Sequence, residues 1–236
     1  MNLTQQFKTY RDDFLQLIYP QYCYSCHMEL VGSKSGICGV CESELQYTLF
    51  ENYAEPSALD KLFWGRIPLE KTFALLYFTQ SGASQRILHD LKYNSRSELG
   101  VYYGQEIGKR LKTIEGLNDL SGIIPVPLHP KKQFIRGYNQ AEKIANGVSE
   151  IVDVPVEHQM LRRQVFAESQ TKKGFLARWD NIQQAFKASK QQDKTGHYLL
   201  VDDVITTGST LEVCAKELKQ KYPGIRVSVA SLAVAQ

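Results

Sequence analysis

The sequence predicts an α/β protein: a parallel sheet flanked by helices, with a small cysteine-bearing module ahead of it. Three observations predict this. From Lys71 onward, apolar runs rich in β-formers alternate with segments of helical periodicity almost to the last residue. Four of the five cysteines fall between residues 23 and 41, while Cys214 stands far from them. The charge divides in the same way: residues 1–60 carry 3 Lys+Arg against 8 Asp+Glu, and 61–236 carry 25 against 17, so an acidic module precedes a basic one.

The 236 residues suffice for one or two domains with a real core, and 43% hydrophobic content with a net charge of +3 excludes wholesale disorder. No apolar run approaches the roughly 18 residues of a membrane span. The segment 1–10 lacks the basic-then-apolar layout of a secretory signal. The expectation is a soluble cytoplasmic protein.

Taken in order, the cysteine module comes first. Cys23-Tyr24-Ser25-Cys26 and Cys38-Gly39-Val40-Cys41 are two Cys-x-x-Cys pairs, eleven residues apart, with Gly32, Gly36 and Gly39 to supply turns. Each pair can close as a knuckle whose backbone N–H groups face sulfur. Four thiolates suit a structural zinc ion with a closed shell, which leaves no open position for catalysis. Two disulfides are the alternative, and the reduced state of cytosolic thiols argues against them. His27 reads as a bystander beside Cys26, and Cys214 as a small buried residue in an apolar helical pattern.

The segment 53–66 mixes Pro, Ala, Trp and charge and reads as a linker. This places an N-terminal helix and zinc ribbon in 1–60 and the sheet domain in 61–236. Strands are predicted over 71–79 (KTFALLYFT), 122–128 (GIIPVPL), 185–188, 198–204 and 226–235. Helices are predicted over 83–93, 97–112, 139–151 and 208–221. Pro125 and Pro127 stop the second strand's ladder, so the chain leaves the sheet there as a shaped loop. Residues 153–180 are polar and irregular.

The most informative stretch is 198–211, YLLVDDVITTGSTL. A fully apolar strand delivers Asp202 and Asp203 at its carboxyl end, where ligands bind in open α/β sheets. A short loop then opens into a helix whose first amides have no internal partner and whose dipole favours an anion. Gly208 lets backbone close around a phosphate, and Thr206, Thr207, Ser209 and Thr210 add hydroxyl donors. Two carboxylates beside a phosphate need hydroxyls or a cation. A ribose 5-phosphate meets both needs, with its phosphate in the loop and ring hydroxyls on the aspartates. A Walker A loop is excluded because Gly-Lys-Ser/Thr is missing.

Residues 199–211 resemble the phosphoribosyl pyrophosphate (PRPP) signature of type I phosphoribosyltransferases. With the four-cysteine module, the chain resembles the ComF/ComFC (GntX-like) proteins of bacterial DNA uptake from about residue 15 onward. Residues 88–93 (LHDLKY), 125–140 (PVPLHPKKQFIRGYNQ) and 178–186, with its Arg-Trp-x-Asn, carry the resemblance further. The resemblance implies a type I phosphoribosyltransferase-like fold in which Asp202 and Asp203 are the catalytic carboxylates and bind ribose hydroxyls. Thr206, Thr207, Gly208, Ser209 and Thr210 would hold the 5-phosphate. Pro125, Val126 and Pro127 lie where such proteins grip pyrophosphate, often through a strained or cis peptide, and Arg136 would neutralise that charge. Lys131 and Lys132 are either part of this basic run or a solvated face. A variable hood over the acceptor would span 154–186, with Arg162, Arg163, Gln170 and Arg178 as candidates; Ala167 stands where a Thr is expected.

Two functions follow from the resemblance. One is a PRPP-binding protein of natural competence, assisted by Mg²⁺ and acting in the cytoplasm on incoming single-stranded DNA, or with a helicase or other DNA-uptake protein. The other is transfer of phosphoribose from PRPP to an unidentified acceptor in nucleotide metabolism. No adenine, guanine, orotate or glutamine-ammonia signature names that acceptor.

Overall fold

The structure is a computed structural model that describes residues 20–30, 36–94, 96–164, 185–189 and 194–235. The start of the chain, where an N-terminal helix is expected ahead of the zinc ribbon, and the hood candidates Gln170 and Arg178 lie outside the described residues.

The cysteine module opens with a hairpin, β1 (Gln21–Tyr22) antiparallel to β2 (Glu29–Leu30), and closes with α1 (Gly39–Ser43), which Cys38 caps. A single 3-10 turn, Phe50–Asn52, follows. The linker expected over 53–66 contains a helix instead, α2 (Ala58–Phe63). Its start is a capping box: Ser57 Oγ accepts the Asp60 N–H at 3.2 Å, and Asp60 Oδ2 accepts the Ser57 N–H at 2.7 Å. Leu59 and Phe63 are buried, and Asp60 Oδ1 accepts the Thr72 hydroxyl at 2.7 Å. The helix is thereby fastened to the first strand of the main sheet.

That sheet begins with β3 (Thr72–Phe78), followed by α3 (Ala83–Tyr93) and α4 (Ser97–Leu111). Then come β4 (Leu120–Pro125), α5 (Pro130–Arg136) and α6 (Gln140–Val152). A separate antiparallel pair, β5 (Leu161–Arg163) and β6 (Phe186–Ala188), precedes β7 (Gly196–Ile205), α7 (Ser209–Lys221) and β8 (Ile225–Ala235). The main sheet has the order β3-β8-β7-β4, and every neighbouring pair is parallel. The central strands are buried on both faces, as covering helices require.

The strand over 122–128 ends earlier than its apolar run, at Pro125. The next helix, α5, falls on the basic run, with Pro130 at its first position and the His129 side chain accepting the Lys131 N–H at 3.2 Å.

Both outer strands are partly covered. On the β3 side, Tyr77 N–H donates to Gln46 O at 2.7 Å and Thr48 N–H to Leu75 O at 3.1 Å. On the β4 side, Ile123 N–H donates to Pro155 O at 2.9 Å and Glu157 N–H to Ile123 O at 2.8 Å. Helices α4 and α6 pack backbone to backbone. A Cβ on Gly104 would lie 2.2 Å from the Ile144 carbonyl oxygen, and one on Gly147 would lie 2.1 Å from that of Val101. Because the strands are parallel, the loops after β3, β4 and β7 emerge on one edge. After β4 the chain moves outward to Pro155, and after β7 it moves to β8 on the other side. The β4–β7 seam is thus a topological switch point, where a crevice opens.

Candidate functional site

At that seam β7 delivers its two carboxylates. Asp202 Oδ1 accepts the Asp203 N–H at 2.8 Å. Asp203 Oδ2 pairs with Lys92 Nζ, from the last turn of α3, at 3.1 Å. Asp202 sits between burial, which disfavours its charge, and the charge of Asp203. Together these push its carboxyl up to about 8, against the Asp203 amide, Lys92 and Arg163.

The loop after β7 turns at Gly208, whose φ of 71° places it in the left-handed region as the cap of α7. Gly208 brings no side chain to the first amides of α7, which stay available to an anion. Thr207 Oγ1 lies 3.0 Å from Ser209 Oγ. Asp202 and the residues from Val204 to Leu211 enclose a small concavity.

The underside of the loop is built from α2 and the turn after it. A Cβ on Gly208 would lie 2.9 Å from the Phe63 ring. Arg66 Nη1 donates to Thr207 O at 2.8 Å and to Leu62 O at 3.1 Å, and Arg66 Nε donates to Glu212 Oε2 at 2.8 Å. Glu212 is buried, which works against its charge, yet hydrogen bonds from Lys216 and Arg66 prevail and hold its carboxyl below the usual range. Arg66 therefore fixes both the loop and the first turn of the helix.

Register places Pro125 opposite Val201, so the segment after β4 runs beside the aspartates. Val126 N–H donates to Val201 O at 2.8 Å, and Asn139, the cap of α6, donates through Nδ2 to Val126 O at 2.9 Å. Arg136 donates to Gln140 Oε1 at 2.9 Å and stacks 5.2 Å over the Tyr93 ring. Among the described residues every peptide bond is trans. Arg163, a hood candidate, stacks 5.0 Å over Phe186 and contributes positive potential at Asp202, whereas Arg162 is exposed.

In the cysteine module, the Sγ atoms of Cys23, Cys26, Cys38 and Cys41 all lie within 4.8 Å of one another. A tetrahedral ion with metal–sulfur bonds near 2.3 Å needs sulfurs about 3.8 Å apart, so the four donors fit one ion. Cys23 Sγ accepts the N–H groups of Ser25 and Cys38 at 3.4 and 3.3 Å, and Cys38 Sγ accepts that of Cys41 at 3.4 Å. These are the knuckles expected from the two pairs, and none of the four cysteines is in a disulfide. His27 lies outside the cluster, its Nδ1 3.5 Å from Arg96. Cys214 is fully buried.

Two other features are distinct from the concavity at Asp202. A cavity of about 910 Å³ is lined by residues from Phe50 to Thr72 and from Thr113 to Glu115. At the opposite edge, His197 Nδ1 lies 2.8 Å from Asp119 and its Nε2 lies 2.8 Å from Ser228 Oγ. This has the order of a hydrolytic triad, but Ser228 is fully buried and accepts the Lys71 N–H at 3.1 Å. It is a stitch between strands.

No family model matches the chain. A DNA utilization protein YhgH of Salmonella typhimurium is 26% identical over 212 residues, which is 86% of this chain and 92% of that protein. Competence protein F of Haemophilus influenzae is 29% identical over 223 residues, covering 84% of this chain and 90% of its own length. Competence protein ComFC of Bacillus subtilis is 32% identical over 111 residues, 47% of this chain and 43% of that protein. The chain is a homologue of these competence and DNA utilization proteins. Among solved structures it is similar to a glutamine PRPP amidotransferase from B. subtilis complexed with ADP and GMP (TM-score 0.39, 15% identity, 60% of this chain and 30% of that one). It is also similar to an adenine phosphoribosyltransferase from Leishmania tarentolae (TM-score 0.35, 11% identity, 75% and 88%).

In this competence-protein homologue Asp202, Asp203 and the five loop residues stand together, with Pro125 and Val126 alongside and Pro127 next in the chain. The sequence pattern does not single out three residues of this arrangement: Lys92, Arg66 and Glu212. Lys92 lies inside the LHDLKY stretch, where nothing in the pattern marks it. Arg66 falls in the stretch that reads as a linker, and only the capping box at Ser57 and Asp60 signals an ordered segment there.

Proposed function

We propose that this protein binds PRPP together with Mg²⁺ and serves bacterial natural competence in the cytoplasm, on incoming single-stranded DNA or with the proteins that handle it. The observation that carries the PRPP reading is the juxtaposition at the β4–β7 seam. Two carboxylates stand beside an anion-ready helix terminus, with a proline-bounded loop alongside. In this reading the amides and hydroxyls of Thr206, Thr207, Gly208, Ser209 and Thr210 hold the 5-phosphate. Asp203, oriented by Lys92, and Asp202 take the ribose hydroxyls. Pro125, Val126 and Pro127 face the pyrophosphate, and Arg136 lies within reach of its charge. Mg²⁺ would enter with PRPP and would offset the charge of its pyrophosphate. The ion of the four-cysteine module is zinc in this reading, with a purely structural role.

The competence reading is supported by the homologues' names. It is supported as well by α5, which presents exposed Lys131, Lys132 and Phe134 beside Arg136 and the half-exposed face of Tyr93. Cations interleaved with aromatic faces suit a single strand.

Calorimetry with PRPP–Mg²⁺ tests the first part. Heat is expected with the wild type and is lost in the double variant Asp202→Ala/Asp203→Ala; equal heats from both proteins would defeat the assignment. For the second part, single-stranded DNA should bind with an affinity that falls steeply with salt and drops further in Phe134→Ala. No binding at low salt rules out direct contact.

A further inference from the structure

Helix α3 touches both sites. In its first turn, Arg86 reaches into the cysteine module. Nε donates to Ser25 Oγ at 2.8 Å, and Nη2 donates to Glu44 at 2.6 Å and lies 4.0 Å from Cys41 Sγ. Ser25 sits inside the first Cys-x-x-Cys pair and is buried. Cys23 and Cys38 receive backbone N–H groups of the module itself, whereas the guanidinium at Cys41 comes from the sheet domain. Four thiolates on a divalent ion carry a net charge of −2, and a guanidinium beside one of them offsets part of it.

In the last turn of the same helix, Lys92 pairs with Asp203 at 3.1 Å. Six helical steps separate Arg86 from Lys92, about 9 Å at 1.5 Å per step. Ile87, Leu88 and Leu91 are buried between them, so the helix moves as a unit. A second tie closes the far end: Arg96 pairs with Asp90 of α3 at 3.3 Å and stacks 5.3 Å over the Tyr24 ring of the module. The module thus grips α3 at both ends, and the fold of such a module depends on its ion.

We propose that metal occupancy of the four-cysteine module and affinity at the Asp202–Asp203 site are coupled through α3. Arg86 is the outer-sphere residue of the metal site, and Lys92 is the residue through which the position of α3 reaches the ribose carboxylates. This rests on the PRPP reading given above. Coupling of this kind is reciprocal: whatever factor the ion adds to PRPP affinity, PRPP adds to metal affinity.

The test uses the full chain loaded with zinc. Metal affinity is measured by chelator competition with and without saturating PRPP–Mg²⁺, with ribose 5-phosphate plus pyrophosphate controlling for chelation by the ligand. PRPP–Mg²⁺ should raise metal affinity of the wild type at least about fivefold. Arg86→Ala should lower metal affinity about 10- to 100-fold, as outer-shell losses do, and should cancel the PRPP effect. Lys92→Met should keep the wild-type metal affinity and lose only the PRPP effect, which a folding defect would not do. Normal PRPP heat with an unmoved metal affinity overturns the coupling alone. Wild-type metal affinity in Arg86→Ala overturns the role of Arg86. No PRPP heat from the zinc-loaded wild type overturns the ligand reading and the coupling with it.

Discussion

Asp202 shows what a buried carboxylate beside a second one costs its fold. Its folded pKa of about 8 lies far above the value near 4 of an unfolded aspartate, so the folded state favours the protonated form. The sign follows. The stabilising contribution is complete below about pH 4 and is lost as pH rises toward 8. Asp202→Asn keeps the shape and removes the charge. Its gain in melting temperature over wild type should grow between pH 5 and pH 8 by the equivalent of at least about 1 kcal/mol, while the proposed PRPP binding weakens. A thermal scan at the two pH values checks this; a gain that shrinks with rising pH contradicts it. The same residue explains what was legible in the sequence. Asp202, Asp203 and Thr206 to Thr210 are contiguous, and one strand–loop–helix places them all. Arg66 meets Thr207 and Glu212 across 141 and 146 residues of chain, and only tertiary folding brings them together.

Among the elements, the strands and longer helices were readable because each carries its own periodicity. Two short helices were not. The six residues of α2 and the seven of α5 are too few to show a period, and their marks are local: a capping box at Ser57 and a proline in the first turn. The α4–α6 seam was likewise hidden, since a glycine in a helix has no pattern of its own. With Gly104 against the Ile144 carbonyl and Gly147 against that of Val101, an added methyl must push two backbones apart. Gly104→Ala should therefore destabilise the protein by about 1–3 kcal/mol despite the better helix propensity of alanine. Chemical denaturation measures this, and a stabilised variant would contradict the close approach.

For the whole molecule, the charge division of the sequence becomes a docking surface. Acidic residues of the first 60 meet arginines of the sheet domain, Glu44 with Arg86 and Glu51 with Arg110. Removing the proposed zinc ion should loosen the module and, through Arg86, the first turn of α3, while β7 and β8 keep their protection. Hydrogen exchange after chelation should show fast amides at 22–30, 36–44 and 83–88 and unchanged ones at 198–204 and 227–233; uniform loss across all of these segments would mean that they form one cooperative unit. The covered flanks of the sheet have a separate consequence. Segments 46–48 and 155–157 already occupy main-chain groups at the middle of β3 and β4. A partner protein that docks by adding a strand finds no continuous row of free amides there. A protein partner, were one to dock, would be steered away from the sheet's sides and toward the loops at the strands' carboxyl ends, so that partner and small ligand would meet at the same rim.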